Sequence, residues 1–278
     1  HRLDRWPLRA ALAVTFVLGF GWAVPGAAYA TLTAEWFGLA LSLWAVRRVG
    51  RELGAHANAA RIFALPRLVA LLRVNANVFV RSLLLTAAQA HFAMKGARFG
   101  DTVLAANSIL IAIHSMLGMG IDGFAVAAET LVGNALGRRD RAAFDRAVRA
   151  AALWAIAVAA IFALAYGVLG GLVIALMTSL PDVQDVALEF LPWSVAVPIA
   201  LVWGYMLDGF FNGATRAADM RNAIILCVCV YAAAYAVLVP RFGNHGLWAS
   251  FFLLQAARAA TLGALFPRLA RSVGPKVA

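Results

Sequence analysis

Long apolar runs, broken at intervals by glycine, proline and arginine, set the pattern of this chain. A helix that crosses the hydrocarbon core of a bilayer takes about 20 apolar residues. Eight stretches are candidates: a short one over 8–21, then 25–46, 74–94, 102–124 with a continuation to 136, 148–176, 186–212, 220–239 and 245–266. Period-two alternation is absent and lipid does not tolerate open sheet edges, so each stretch predicts a helix. The breakers fall at the boundaries: Gly19, Gly21 and Pro25, then Gly96, the run from Gly167 to Gly171 with Pro181, the segment from Pro240 to Gly246, and Pro267. Composition agrees: 63% of the 278 residues are hydrophobic and 13% charged, against roughly 45–50% apolar in a soluble domain. The expected fold class is an all-α integral membrane protein with about eight transmembrane helices.

Charge then gives a topology. The net charge is +11, which suggests either nucleic acid or an anionic membrane as partner. The arginines sit between the apolar runs, so the lipid bilayer is the expected partner and nucleic acid is not. With His1 placed in the cytoplasm, the cytoplasmic segments hold 19 of the 24 lysines and arginines; the opposite side holds Lys95, Arg98 and Arg241, and Arg81 and Arg258 fall within spans. That asymmetry follows the positive-inside rule, and an even number of spans puts both ends of the chain in the cytoplasm. The longest segment between spans runs from Arg47 to Arg73 and is basic. Its second half, 59–72, sets Phe63, Leu68 and Leu71 against Arg61, Arg67 and Arg73, the pattern of a surface helix, although a plain linker fits as well. The first residues are not a signal peptide, and the chain is expected to be a fragment. Cys227 and Cys229 are too close for a disulfide on one helix and read as core residues.

A weak internal repeat is present. Val17-Leu18 followed by Gly26 and Ala30 matches Val237-Leu238 followed by Gly246 and Ser250, at an offset of 220, and sets Glu35 opposite Gln255. Repeated halves are common in transporters. At that offset a two-lobe protein would have most of four further helices before His1.

Ionisable groups inside spans are expensive and are functional candidates by default. Glu35, Asp122, Glu129, Glu189 and Asp208 qualify. Asp122 and Glu129 are seven apart, within about 20° of each other on a helix. Gly133 shares their face, and the small residues around it leave room for another helix or a water-filled cavity. Asp122 lies about 24 Å from Arg138 along the axis and Glu129 about 13 Å, which puts Asp122 near mid-membrane and Glu129 near the interface. Gly118, Gly120 and Gly123 permit a bend there. Asp122 reads either as a carboxylate that alternates between protonated and charged, or as an acceptor that ties two helices; Glu129 reads better as an interfacial acid. Asp208, Asn212 and Thr215 form a second polar stripe, on a helix that Pro192 and Pro198 should kink. The span 74–94 adds Asn77 and Arg81 on one face, with Arg81 free to snorkel to the interface. Asn107 contributes an amide to the next span. His91 and His114 fit packed hydrogen-bonding residues better than proton carriers. No enzyme constellation is recognisable, so the protein is expected not to be an enzyme.

Three segments resemble a known family: RSLLLTAAQAHFAMKGARFGDTVLAANSILI (81–111), IDGFAVAAETLVGNALGRRDRAAF (121–144) and LPWSVAVPIALVWGYMLDGFFNGATRAADMRNA (191–223). They are similar to the DinF branch of the multidrug and toxic compound extrusion (MATE) transporters, and FVLGFGWAVPGAAYATLTAEW (16–36) is similar to that family's junction of helices five and six. The resemblance implies a twelve-helix, two-lobe transporter of which this chain holds the last two helices of the first lobe (1–46, the first of them partial), a cytoplasmic interlobe loop (47–73) and a six-helix second lobe (74–278). It implies secondary active multidrug efflux, with H⁺ or Na⁺ exchanged for cationic or amphiphilic compounds, no cofactor beyond the coupling ion, and residence in the bacterial cytoplasmic (inner) membrane. The partners implied are small-molecule substrates and the missing N-terminal helices of the same protein. Candidate coupling or cavity residues are Asp122, Asp208, Glu129, Asn77, Arg81, Asn107 and Asn212. The chain departs from the family pattern in three places. No aspartate precedes the FVLG run near Ala13, Asn77 stands where many DinF-like sequences have an acid, and the helix 74–94 has no carboxylate. A lipid-linked oligosaccharide flippase of the same superfamily and an inactive remnant or structural membrane protein are the alternatives.

Overall fold

The computed structural model describes residues 23–52 and 64–273. They are helical almost throughout: α1 (Ala23–Glu52), α2 (Leu65–Gly96), a 3₁₀ turn (Ala97–Phe99), α3 (Asp101–Gly137), α4 (Arg141–Met177), α5 (Pro181–Gly213) and α6 (Ala217–Arg271). Among the described residues, five segments are long and apolar enough to cross a membrane: 68–99, 101–137, 141–177, 181–213 and 217–271. The expected span 8–21 lies outside the described residues, and 25–46 lies within α1. The chain divides into two compact units, 1–68 and 69–278.

Local signals set the ends of the helices. The Asp140 side chain accepts from the Ala143 N–H at 2.8 Å and caps α4, satisfying one of the first-turn donors a helix leaves open. Pro181 opens α5, where its missing N–H is no loss. Connections of three residues, with Arg139 at φ 54° and Thr215 at φ 55°, join α3 to α4 and α5 to α6, so each pair runs antiparallel. The two spans expected over 220–239 and 245–266 are the arms of α6. They are separated at Gly243, where φ is +55° and ψ −128°, a conformation that suits a residue without a Cβ.

Two expectations change. The amphipathic stretch before 74 is no separate surface helix from Leu65 onward: α2 starts there and continues into the span, because nothing between Leu68 and Val74 breaks it. Cys229 is exposed, while Cys227 is buried.

Helix α5 is the centre of the second unit. Its apolar residues lie on every side, which suits a fully surrounded helix, and nearly every residue from Val197 to Phe211 is buried. It packs against α3, α4 and α6. The α3–α5 contact is backbone on backbone. A Cβ at Gly209 would stand 2.5 Å from the Ala125 carbonyl oxygen, and one at Gly213 would stand 2.3 Å from that of Glu129. Gly209 and Gly213 are four apart, the small-residue spacing that lets membrane helices approach closely. On the outside, Leu153, Trp154, Leu164, Val168, Leu172 and Leu176 of α4 are all at least 60% exposed. A continuous apolar face of that kind needs lipid to cover it.

Candidate functional site

The close approach of α3 to α5 carries charge with it. Asp122 and Glu129 sit on the α3 face that meets Gly209 and Gly213, and Asp208 and Asn212 precede those two glycines. With Arg81 and Gln89 of α2 and Gln255 and Arg258 of α6 they line one cavity of about 310 Å³. Five of the seven residues singled out from sequence therefore meet in one place: Arg81, Asp122, Glu129, Asp208 and Asn212.

Asp208 is the hub. It is 6% exposed, and its Oδ2 accepts hydrogen bonds from the guanidiniums of both Arg81 and Arg258. Arg258 is equally buried and lies over the Tyr205 ring at 5.3 Å, a cation–π contact. Arg81 does not snorkel to the interface. A buried carboxylate within reach holds a guanidinium more strongly than interfacial water does, because charge-assisted bonds strengthen where the dielectric is low. A triad of two cations and one anion has a surplus of +1. The two further carboxylates on the cavity wall, Asp122 and Glu129, turn that surplus into a formal sum of −1 over the charged lining residues.

The other two candidates lie elsewhere. Asn77 accepts from Arg221 Nη1 at 2.8 Å, a contact between α2 and the first arm of α6. Asn107 is a packing node. It exchanges two amide hydrogen bonds with Asn244 at 2.8 and 3.0 Å and accepts from Trp248 Nε1 at 2.9 Å, which ties α3 to α6 around the Gly243 break. His91 is also a packed residue, within 2.9 Å of the Tyr231 hydroxyl. Glu189 lies 3.2 Å from His245 on the exposed surface.

Sequence reasoning missed Arg258 and Gln255 as cavity residues. Arg258 was visible as a charge within a span, and the default that makes an intramembrane carboxylate a candidate applies to an arginine equally. Gln255 is 4% exposed, and its Oε1 has no hydrogen-bond partner among the described residues. The one sequence signal for it was its place opposite Glu35 in the internal repeat.

Comparison with known proteins agrees with this architecture. The MatE family model matches residues 78–238. The chain is 35% identical over 261 residues to the DNA damage-inducible protein F of Escherichia coli strain K12, covering 94% of this chain and 57% of that protein. The fold is shared with the Vibrio cholerae MATE transporter VcmN in its bent form (TM-score 0.78, 19% identity, 97% of this chain and 61% of that one). It is shared with a MOP superfamily transporter of Pyrococcus furiosus at the same score, identity and coverage. It is shared too with the eukaryotic MATE transporter AtDTX14 (TM-score 0.80, 18% identity, 98% and 62%). The chain thus spans about three-fifths of the length of these relatives.

Proposed function

Since this chain belongs to the MatE family, we propose that the full-length protein is a secondary active exporter of the bacterial cytoplasmic membrane, exchanging H⁺ or Na⁺ for cationic or amphiphilic compounds. In this reading residues 1–46 are the end of a first lobe, 47–73 the cytoplasmic interlobe segment and 74–278 the six-helix second lobe. The observation that carries it is the charged cavity: a space of about 310 Å³ inside a bundle of apolar helices, lined by three carboxylates and two guanidiniums. Asp208 and Arg258 are buried and the other three half-buried; ionisable groups at this depth in a membrane lobe are costly, and a packing role alone does not require so many.

The residues divide the work. Asp208 holds Arg81 and Arg258 and so ties α2, α5 and α6 together. Asp122, half-buried on the cavity wall, carries the coupling cation, and Glu129 lines the route toward the Arg138 end of α3. Occupation of Asp122 by a cation changes the charge of the cavity by one unit. A ligand shifts an alternating-access equilibrium only through its different affinity for the two states, and a cavity whose charge differs between them supplies that difference. The flippase reading needs a cationic cavity for an anionic cargo, whereas this lining sums to −1.

Dye efflux from everted vesicles holding the full-length protein tests the proposal, with an imposed pH or Na⁺ gradient. Efflux that follows one gradient and is lost in Asp122→Asn supports it. Gradient-independent efflux, or unchanged efflux in that variant, refutes the assignment.

A further inference from the structure

The arginine-rich corner between α3 and α4 does more than mark an orientation. Arg138, Arg139, Arg146 and Arg149 make no ion pair among the described residues. The two nearby carboxylates are already engaged, Asp140 by the Ala143 N–H and Asp145 by Arg141 at 3.0 Å. These groups line a basin of about 550 Å³ whose five arginines and two aspartates sum to +3.

The basin is the mouth of a longer groove. Arg141, Asp145 and Arg149 also line a second cavity of about 260 Å³, shared with Val148 and Phe266. Val148 and Phe266 in turn line a third, also about 260 Å³, with Trp203, Phe210 and Gly263 and no charged residue. Three adjoining cavities thus run from a cationic end to an apolar one, along the joint surface of α4, α5 and the second arm of α6. The apolar end follows α5 from Trp203 to Phe210, about 10 Å of helix axis, which takes the upper part of one acyl chain in a leaflet about 15 Å deep. The floor is open at Gly263, where an added Cβ would meet nothing within 4 Å.

We propose that this groove holds a phospholipid with a net negative headgroup, its phosphate on the unpaired arginines and one acyl chain along Val148, Phe266 and Gly263. Charge complementarity selects the headgroup. A surplus of +3 attracts an anionic lipid, while the ammonium of a zwitterionic lipid brings a further cation into the basin. Continuity selects a lipid over a free phosphate, because the basin drains directly into an apolar trough that only a hydrocarbon chain fills favourably. The inference concerns the outer surface of the lobe and is independent of the central cavity and of what is exported.

Native mass spectrometry of the full-length protein in detergent tests it, with phosphatidylglycerol, phosphatidylcholine and inorganic phosphate as probes. Phosphatidylglycerol is expected to be retained in preference to phosphatidylcholine. Arg146→Gln with Arg149→Gln, both on the exposed surface, should weaken it by roughly fivefold per arginine removed. Gly263→Leu, whose Cβ would meet nothing within 4 Å, puts bulk into the trough and should weaken phosphatidylglycerol while leaving any phosphate adduct unchanged. Equal retention of the two lipids overturns the proposal, as does unchanged phosphatidylglycerol binding in the double arginine variant. If inorganic phosphate competes fully with the lipid and Gly263→Leu has no effect, the arginines hold a free anion and the lipid assignment is wrong.

Discussion

Replacing Asp208 by Asn keeps the shape of the side chain and removes the anion that two guanidiniums share. The Arg258 side chain is 8% exposed and that of Arg81 16%, so neither recovers full hydration where it stands. Breaking a buried ion pair by removing one partner costs about 3–5 kcal/mol. The surviving cations also repel one another. Two unit charges about 4 Å apart interact by about 4 kcal/mol at an effective dielectric near 20, so the upper part of that range applies. For a folding unit of about 200 residues, each kcal/mol moves the melting temperature by roughly 2–4 °C, which gives a fall of about 8–20 °C. The assay is thermal melting of the full-length protein in detergent, for wild type, Asp208→Asn, Arg258→Gln and the double variant. Removing Arg258 along with Asp208 takes away the more deeply buried unpaired charge, so the double variant should be more stable than the sum of the single losses predicts, by about 1–3 kcal/mol. Asp208→Asn melting within about 2 °C of wild type, or strictly additive losses, would refute the triad as the element that joins α2, α5 and α6.

Other consequences follow from the same geometry. Gly213→Ala places a methyl 2.3 Å from the Glu129 carbonyl oxygen, a backbone atom that cannot swing aside; a loss near the top of the about 1–3 kcal/mol range for overpacking should appear in the melt, together with a disturbed cavity. Asn107→Ala leaves Asn244 and the Trp248 indole N–H without their partner, and a loss of about 2–4 kcal/mol is expected from orphaned buried groups, against an almost unchanged melt if the node is dispensable. Asp140→Ala removes the α4 cap, costing about 1 kcal/mol, and raises the basin from +3 to +4; a lower melting temperature with tighter phosphatidylglycerol retention is the expected pair of results.

Much of the fold was legible because membrane helices announce themselves locally. Apolar length and breakers are properties of contiguous residues, and they place the C-terminal ends of α2 to α5 to within two residues; α2, α4 and α5 start nine, seven and five residues before the expected spans, because capping and first-turn residues such as Asp140 and Pro181 lie outside the apolar runs. Pairings across the bundle were less legible. Asp208 stood out as an expensive charge, but its partners lie 127 and 50 residues away in sequence, and no spacing rule connects them. Arg81 was a cavity candidate that could also have snorkelled to the interface, and its pairing with the carboxylate was not foreseen. Asp122 and Glu129 were placed on one face correctly by the helical repeat, and the Gly209–Gly213 spacing that brings α5 against that face was present in the sequence as well. Asn107 gave no sign of its role, because its partner Asn244 belongs to a stretch that reads as a loop and is in fact the junction of the two α6 arms.

The most direct measurement of the central claim is cation-driven dye efflux by Asp122→Asn in everted vesicles, compared with wild-type full-length protein at matched expression. The account predicts that Asp122→Asn reaches the membrane folded and loses efflux coupled to the H⁺ or Na⁺ gradient. Full coupled efflux in Asp122→Asn would contradict the assignment of Asp122 as the coupling residue.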